Sequence, residues 1–296
     1  MHFAKNRELA KITLYNFSEL KYNEPIKENR KEMKKMKKLI ALILTLVLVC
    51  TLFTACGAKS DSDLKYIKDK GTLVVGITDY APMDFKDENG NWTGFDAEFA
   101  EMVAKELGVK CEFFVLADWG KKFFELESKN IDVIWNGMTI TEEVKLNTNC
   151  SAPYVINAQV LVMKADRLAQ YDSVEKLNDL TFAVENGSAG QAAVEEIGIS
   201  SEMIVATQDQ AAALMEVAAG TSDACVIDIT MANAMTGEGT DYADLAAGIA
   251  LTSEEYGIGC RMESDLTAEI DKLMANWKKD GTLQALADKY SLTLAD

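Results

Sequence analysis

The side chains able to do acid–base or nucleophilic chemistry are few in kind in this sequence. Its single histidine is His2, upstream of an apolar leader segment, so the body of the chain has none. Without histidine there is no imidazole general base, no Ser-His-Asp triad and no His-based zinc site. The six cysteines are Cys50, Cys56, Cys111, Cys150, Cys225 and Cys260, and no two of them form a Cys-x-x-Cys pair. Metal and redox-motif readings therefore get no support, and no metal or cofactor is expected. Cys111 and Cys225 lie in strand-like apolar runs, residues 110–115 and 223–227, where buried free thiols are expected. Carboxylates remain. Any general acid–base step would fall to Asp79, Glu185 or Asp228. Asp228 is distinctive because it ends the apolar run Ala224-Cys-Val-Ile227, at the tip of an expected strand.

The elements that must hold these acids alternate in type. Short apolar runs at 73–77, 111–115, 131–135, 180–184 and 225–229 are expected strands. Helical spacing falls at 95–107, 121–128, 191–197 and 211–219, with two more helices near 266–279 and 283–290. In the first of these, Phe95, Phe99, Met102, Val103 and Leu107 share a face and Gly108 closes it. The alternation predicts an α/β fold with mostly parallel sheets, whose ligands sit at the carboxyl ends of strands. At 296 residues and 48% hydrophobic, the chain can bury a core in one or two domains.

Charge narrows the partners. The first 56 residues hold 11 Lys/Arg and 5 Asp/Glu of the chain's 30 and 47. That leaves 19 basic and 42 acidic residues beyond them, a formal net charge of −23. Such a surface repels phosphate backbones, so no nucleic acid is expected as a partner.

The N-terminus reads as an address. Met33-Lys-Lys-Met-Lys-Lys38 is a positive region, and residues 39–53 then run without a charge. That length suits a signal peptide and falls short of the ~20 residues a spanning helix needs. The run ends in Leu52-Phe-Thr-Ala-Cys56-Gly57, which resembles the lipobox of bacterial lipoproteins. The resemblance implies cleavage before Cys56 and a diacylglycerol on its thiol. Residues 33–55 are then a signal peptide, 56–63 a polar tether, and 1–32 an upstream extension from a start placed too early.

Gly94-Phe-Asp-Ala-Glu-Phe-Ala-Glu-Met-Val-Ala104 resembles the signature of family-3 extracellular solute-binding proteins, the polar amino acid binders of ABC importers. Residues 132–141, 182–190 and 220–228 follow in the family's order and spacing, as do Tyr256-Gly257 and Asp280-Gly-Thr282. The resemblance spans roughly residues 62–292. It implies a type II periplasmic-binding-protein fold: two α/β lobes, 64–156 plus 254–296 and 161–250, joined by two crossover strands near 157–160 and 252–256. It also implies a monomer, closing like a hinge on a small polar solute and delivering it to an ABC importer's permease, anchored by lipid on the extracytoplasmic face of the membrane.

The family's ligand positions carry over one by one. Tyr80 matches an aromatic that stacks on the ligand, and Trp119 a second on the opposite side. Two such faces suit an aliphatic stem or a cation. Either ring could equally fill a core, and Trp135, inside a strand, more so. Asn136, Gly137 and Thr139 match strand-end positions that hydrogen-bond ligand, and Asp228 the acid that pairs with an α-ammonium. Asp79 and Glu185 add negative charge. The family's Thr-x-Thr-x-x-Arg ends in an arginine that grips the ligand's α-carboxylate, but here Thr139-Ile-Thr-Glu-Glu-Val144 ends in valine. Beyond Cys56 the only arginines are Arg167 and Arg261. Two ligand classes stay open. An amino acid's carboxylate could be met by Ser188 and the free N–H groups of Gly187-Ser-Ala-Gly190 at a helix start. A cationic amine would need no such partner. Dehydratases and transglycosylases on similar folds make an enzyme a remote alternative.

Overall fold

The computed structural model describes residues 62–296. The upstream extension, the signal segment, Cys56 and all of the tether except Ser62 and Asp63 lie outside the described residues. Those two belong to the folded part. Ser62 caps helix α1 (Asp63–Lys70) by accepting from Lys65 N, and Gly71 ends it in the left-handed region at φ 76°.

The first sheet-rich lobe begins with β1 (Thr72–Ile77) and the short pair β2 (Phe85–Lys86) and β3 (Trp92–Thr93). Helix α2 (Phe95–Leu107) buries the face its spacing announced, Phe95, Phe99, Val103 and Leu107. Gly94 precedes it because a Cβ there would fall 2.2 Å from Met83 O. β4 (Lys110–Val115), α3 (Lys122–Glu127), β5 (Val133–Ile134), α4 (Glu142–Asn147) and β6 (Asn149–Cys150) follow. The chain then crosses on β7 (Val155–Asn157) into β8 (Gln159–Lys164), β9 (Phe182–Glu185), α5 (Ala189–Glu196), β10 (Ile204–Thr207), α6 (Gln210–Ala219), β11 (Ala224–Asp228), α7 (Ile229–Met235) and β12 (Leu245–Ala250). It returns on β13 (Glu254–Tyr256) to β14 (Gly259–Cys260), α8 (Leu266–Asp280) and α9 (Thr282–Lys289).

One sheet has the order β4-β1-β5-β14-β6 and the other β10-β9-β11-β8-β12, while β7 and β13 form a two-stranded sheet of their own. The two crossing strands are thus 155–157 and 254–256, antiparallel, with Asn157 opposite Glu254. Mostly parallel sheets do not describe the result. In each sheet two pairings are parallel, β4–β1–β5 and β10–β9–β11, and two antiparallel. The antiparallel strands flank the two crossings. There the chain turns back without the helix that a parallel connection requires.

An aromatic cluster fixes the first lobe. Trp135 is fully buried, edge-on to Phe99 at 4.8 Å, and Phe95 stacks on Tyr154 at 5.9 Å. Such pairs add about 0.5–1.5 kcal/mol each beyond area burial. Both arginines of the body are used structurally. Arg261 donates to Asp63, Asp132 and the carbonyls of Leu126 and Ile131, and Arg167 pairs with Asp223 at 2.9 Å. Cys111, Cys150, Cys225 and Cys260 are free thiols, with Cys225 fully buried and Cys111 only half-buried on an edge strand. No helix among the described residues is long and apolar enough to cross a membrane.

Candidate functional site

Two parallel strands of the second sheet end in acids. Asp228 closes β11 and Glu185 closes β9, and both side chains are buried. Asp228 Oδ1 accepts from Gln159 Nε2 at 2.9 Å and from Asn157 Nδ2, and Oδ2 accepts from Gln210 Nε2. Gln210 also accepts from Asp228 N at 3.0 Å, which locks the strand end to the start of α6. Glu254, on the returning crossover, shares two of these donors. Its Oε1 accepts from Gln159 and Asn157 at 2.6 Å each, and from Thr139 Oγ1 at 2.7 Å. Burial and then the neighbouring Glu254 push the Asp228 carboxyl up to about 7, against the pull of Gln210. Glu185 is held well above the carboxylate range, first by burial and then by Asp228 and Asp209. Its Oε1 has no hydrogen-bond partner.

The facing wall comes from the first lobe. Asp118 caps a single 3₁₀ turn by accepting from Gly120 N, and this sets Trp119 inward, 6% exposed. Lys122 opens α3, and its ammonium lies 4.9 Å from the Trp119 ring and donates to Gly187 O at 3.0 Å. The two lobes touch at this point. Asn186 donates to Asp118 at 3.0 Å, and a Cβ on Gly187 would fall 2.8 Å from Gly120 Cα.

Between these walls is a cavity of about 270 Å³. Trp119, Lys122, Asn136, Gly137, Thr139, Val144, Glu185, Ser188, Gln210 and Asp228 line it. Of the residues expected from sequence, Trp119, Asn136, Gly137, Thr139, Glu185, Ser188 and Asp228 therefore meet there. Tyr80 and Asp79 do not. Tyr80 is buried, with its hydroxyl 2.5 Å from both Thr230 Oγ1 and Tyr256 OH, so it ties the first lobe to the start of α7. Asp79 is exposed.

Several polar groups expected to face a ligand are already bonded within the protein. Asn136 exchanges two hydrogen bonds with Thr78, at 2.8 and 2.7 Å. Gly137 N donates to Asp96 at 2.6 Å, and a Cβ there would strike Tyr80 at 2.5 Å. The Thr139 hydroxyl belongs to Glu254. At the start of α5, Ser188 Oγ accepts from Gln191 N, Gly187 N donates to Gln191 Oε1 at 2.8 Å, and Ser188 N donates to Glu185 O at 3.2 Å. The four-residue nest read from the sequence is thus partly occupied.

Sequence reasoning missed Lys122, Gln210, Asn157, Gln159 and Glu254. A lysine opening an amphipathic helix reads as solvated, and only its spacing of three from Trp119 places both on one face. The other four act through partners 69 to 115 residues away, apart from Gln210, 18 residues from Asp228. A second cavity, about 590 Å³, lies beside the crossovers. Its lining, including Ile156, Asn233, Tyr290 and Thr293, carries no charged residue. Size favours it, but the convergent charged groups favour the smaller cavity.

The profile of the family described as bacterial extracellular solute-binding proteins, family 3, matches residues 73–293. The chain is 28% identical over 249 residues to the L-cystine-binding protein TcyJ of Escherichia coli K12, covering 82% of this chain and 92% of that one. It is 30% identical over 256 residues to the arginine-binding extracellular protein ArtP of Bacillus subtilis, covering 84% and 96%. The crystal structure of the P235GK mutant of ArgBP from T. maritima superposes with a TM-score of 0.71 at 34% identity, covering 77% of this chain and 98% of that chain.

Proposed function

The chain belongs to family 3 of the bacterial extracellular solute-binding proteins, and from that premise we propose that it hands a small polar, amino-acid-like solute to the permease of an ABC importer. In this reading the mature chain is a monomer on the extracytoplasmic face of the cell membrane, held by a diacylglycerol on Cys56. Lobes 64–156 plus 254–296 and 161–250 close around the solute by bending at the crossover strands. The relatives TcyJ and ArtP are both named as binding proteins.

One observation carries the reading. Buried Asp228 and Glu185, at the carboxyl ends of adjacent parallel strands, converge on a cavity walled by both lobes. An ammonium there would meet two buried carboxyls, where ion pairing is stronger than in water. The amino acids named for the two sequence relatives support the class. A second reading, a cationic amine without an α-carboxylate, is favoured by the balance of charge. Glu142, Glu143, Glu185 and Asp228 line the cavity against one lysine.

Thermal unfolding of the purified protein with each of the common amino acids tests the proposal. A ligand at a hundred times its Kd stabilises by about 2.7 kcal/mol, which raises Tm by roughly 5–10 °C in a domain of this size. If no amino acid shifts Tm and amines do, the second reading replaces the first.

A further inference from the structure

Lys122 is a buried charge without a counter-charge. It is 3% exposed and lines the cavity beside Gly187, Ser188 and Ala189. An ammonium has three donors. One goes to Gly187 O at 3.0 Å and a second, at the long distance of 3.4 Å, to Trp119 O. Among the described residues no carboxylate lies within 4.0 Å of Lys122, whereas in the same lobe the part-buried Lys70 has one and the buried Arg261 has two. An ammonium removed from water is unfavourable until an anion meets it. Burial accordingly draws the group below the ordinary lysine range, with Glu143, Glu185 and Asp118 acting weakly against it.

A second observation points to the same place. The carbonyl that Lys122 holds belongs to Gly187, the residue before the N-cap of α5, so the ammonium lies against the helix's positive end. The first amides of α5 have no carbonyl partner inside the helix, and Ala189 borders the cavity. Val144, whose position on α4 also borders the cavity, is apolar and supplies no charge. Lys122 is therefore the one cation lining the cavity, against the acids Glu142, Glu143, Glu185 and Asp228.

We propose that Lys122 and the start of α5 hold the ligand's α-carboxylate, with its ammonium turned to Asp228 and Glu185, so that the site takes a zwitterionic α-amino acid and rejects the matching amine. The assignment rests on the amino-acid reading above and makes Lys122 the specificity-determining residue within it. The alternative role for Lys122 is to neutralise Glu185, and that role would affect amino acids and amines alike.

The test uses matched pairs, L-arginine with agmatine, L-lysine with cadaverine and L-histidine with histamine. Each is titrated calorimetrically into the purified wild type, Lys122→Met, Lys122→Arg and the double variant Lys122→Met with Val144→Arg. In the wild type the amino acid of at least one pair should bind about 10- to 100-fold tighter than its amine, the range expected of hydrogen bonds to a buried ion. Lys122→Met should erase that preference by weakening only the amino acid. Lys122→Arg should keep it, and Val144→Arg should restore it in the Lys122→Met background. Equal weakening of both members in Lys122→Met, or a preference that survives it, overturns the assignment while leaving the amino-acid reading standing. Should Lys122→Met not fold, loss of the preference in the folded Lys122→Arg overturns it. A wild type that binds amino acids no tighter than their amines also overturns the assignment alone, and one that binds no amino acid removes both.

Discussion

Replacing Glu254 by glutamine should lower the pH at which the cavity begins to hold an ammonium. Glu254 Oε1 and Asp228 Oδ1 both accept from Gln159 Nε2, at 2.6 and 2.9 Å, so these oxygens are no more than about 5.5 Å apart. At an effective dielectric constant of about 20, two charges at that separation repel by roughly 3 kcal/mol. At about 1.4 kcal/mol per pK unit, removing one of them lowers the other's pKa by about two units. Glutamine keeps an acceptor for Thr139, Asn157 and Gln159, so the local geometry should survive. Asp228, raised to about 7 mainly by burial and then by Glu254, would titrate near ~5 in the variant. The sign follows from which form pairs with an ammonium. Below its pKa Asp228 is neutral, so affinity falls by about tenfold per pH unit on the acid side of the midpoint. Calorimetric titration from pH 5 to 8, with an amino acid other than histidine, reads this directly. Wild-type affinity should be level above about pH 7 and fall below it, while Glu254→Gln stays level down to about pH 5. A midpoint that moves by less than half a unit would mean that Asp228 does not hold the ammonium, or that Glu254 does not govern it.

Other consequences follow from the same contacts. Gly187→Ala should weaken amino-acid binding by about tenfold, because a Cβ would fall 2.8 Å from Gly120 Cα on the facing lobe. The φ of +69° adds a stability loss visible in Tm; unchanged affinity with lowered Tm would show that the lobes do not meet there during binding. Asp84 is buried with neither carboxyl oxygen bonded and lies near buried Asp96, itself raised to about 7. Both hold protons more tightly folded than unfolded, so the stability they contribute is present below about pH 4 and is lost as pH rises, for Asp96 through about 7. Asp84→Asn should therefore lose less stability between pH 5 and pH 8 than the wild type in urea unfolding, and an identical loss would contradict the pair's role. Expressed from the full sequence in a bacterial host, Cys56→Ser should lack the diacylglycerol mass and release the chain from the membrane fraction; a lipid-modified variant would place the anchor elsewhere.

The sequence announced those features that depend on local pattern. The apolar face of α2, the glycines at 94 and 108, and the acid at the tip of β11 are each set by spacing within a dozen residues. The absence of an arginine at residue 144 was equally plain. The fates of polar side chains were not, because long-range partners decide them. Asn136 is taken by Thr78 and Gly137 N by Asp96, 58 and 41 residues away, and the Tyr80 hydroxyl meets Thr230 at a separation of 150. The cation of the cavity was hidden for the opposite reason. Lys122 stands beside Lys121 in a charged helical stretch, and only the fold turns one lysine into the cleft and leaves the other in water. Sheet direction was misjudged because short strands at the two crossings, such as β6 and β14, carry too few residues to show a period.

The most direct measurement of the central claim is a crystal structure of the protein grown with the amino acid that raises its Tm most. That amino acid should lie in the cleft between the lobes, its ammonium within hydrogen-bonding distance of Asp228 or Glu185 and its body against Trp119. Density for it in the uncharged cavity beside the crossovers, lined by Ile156, Asn233, Tyr290 and Thr293, with none in the cleft, would contradict the account.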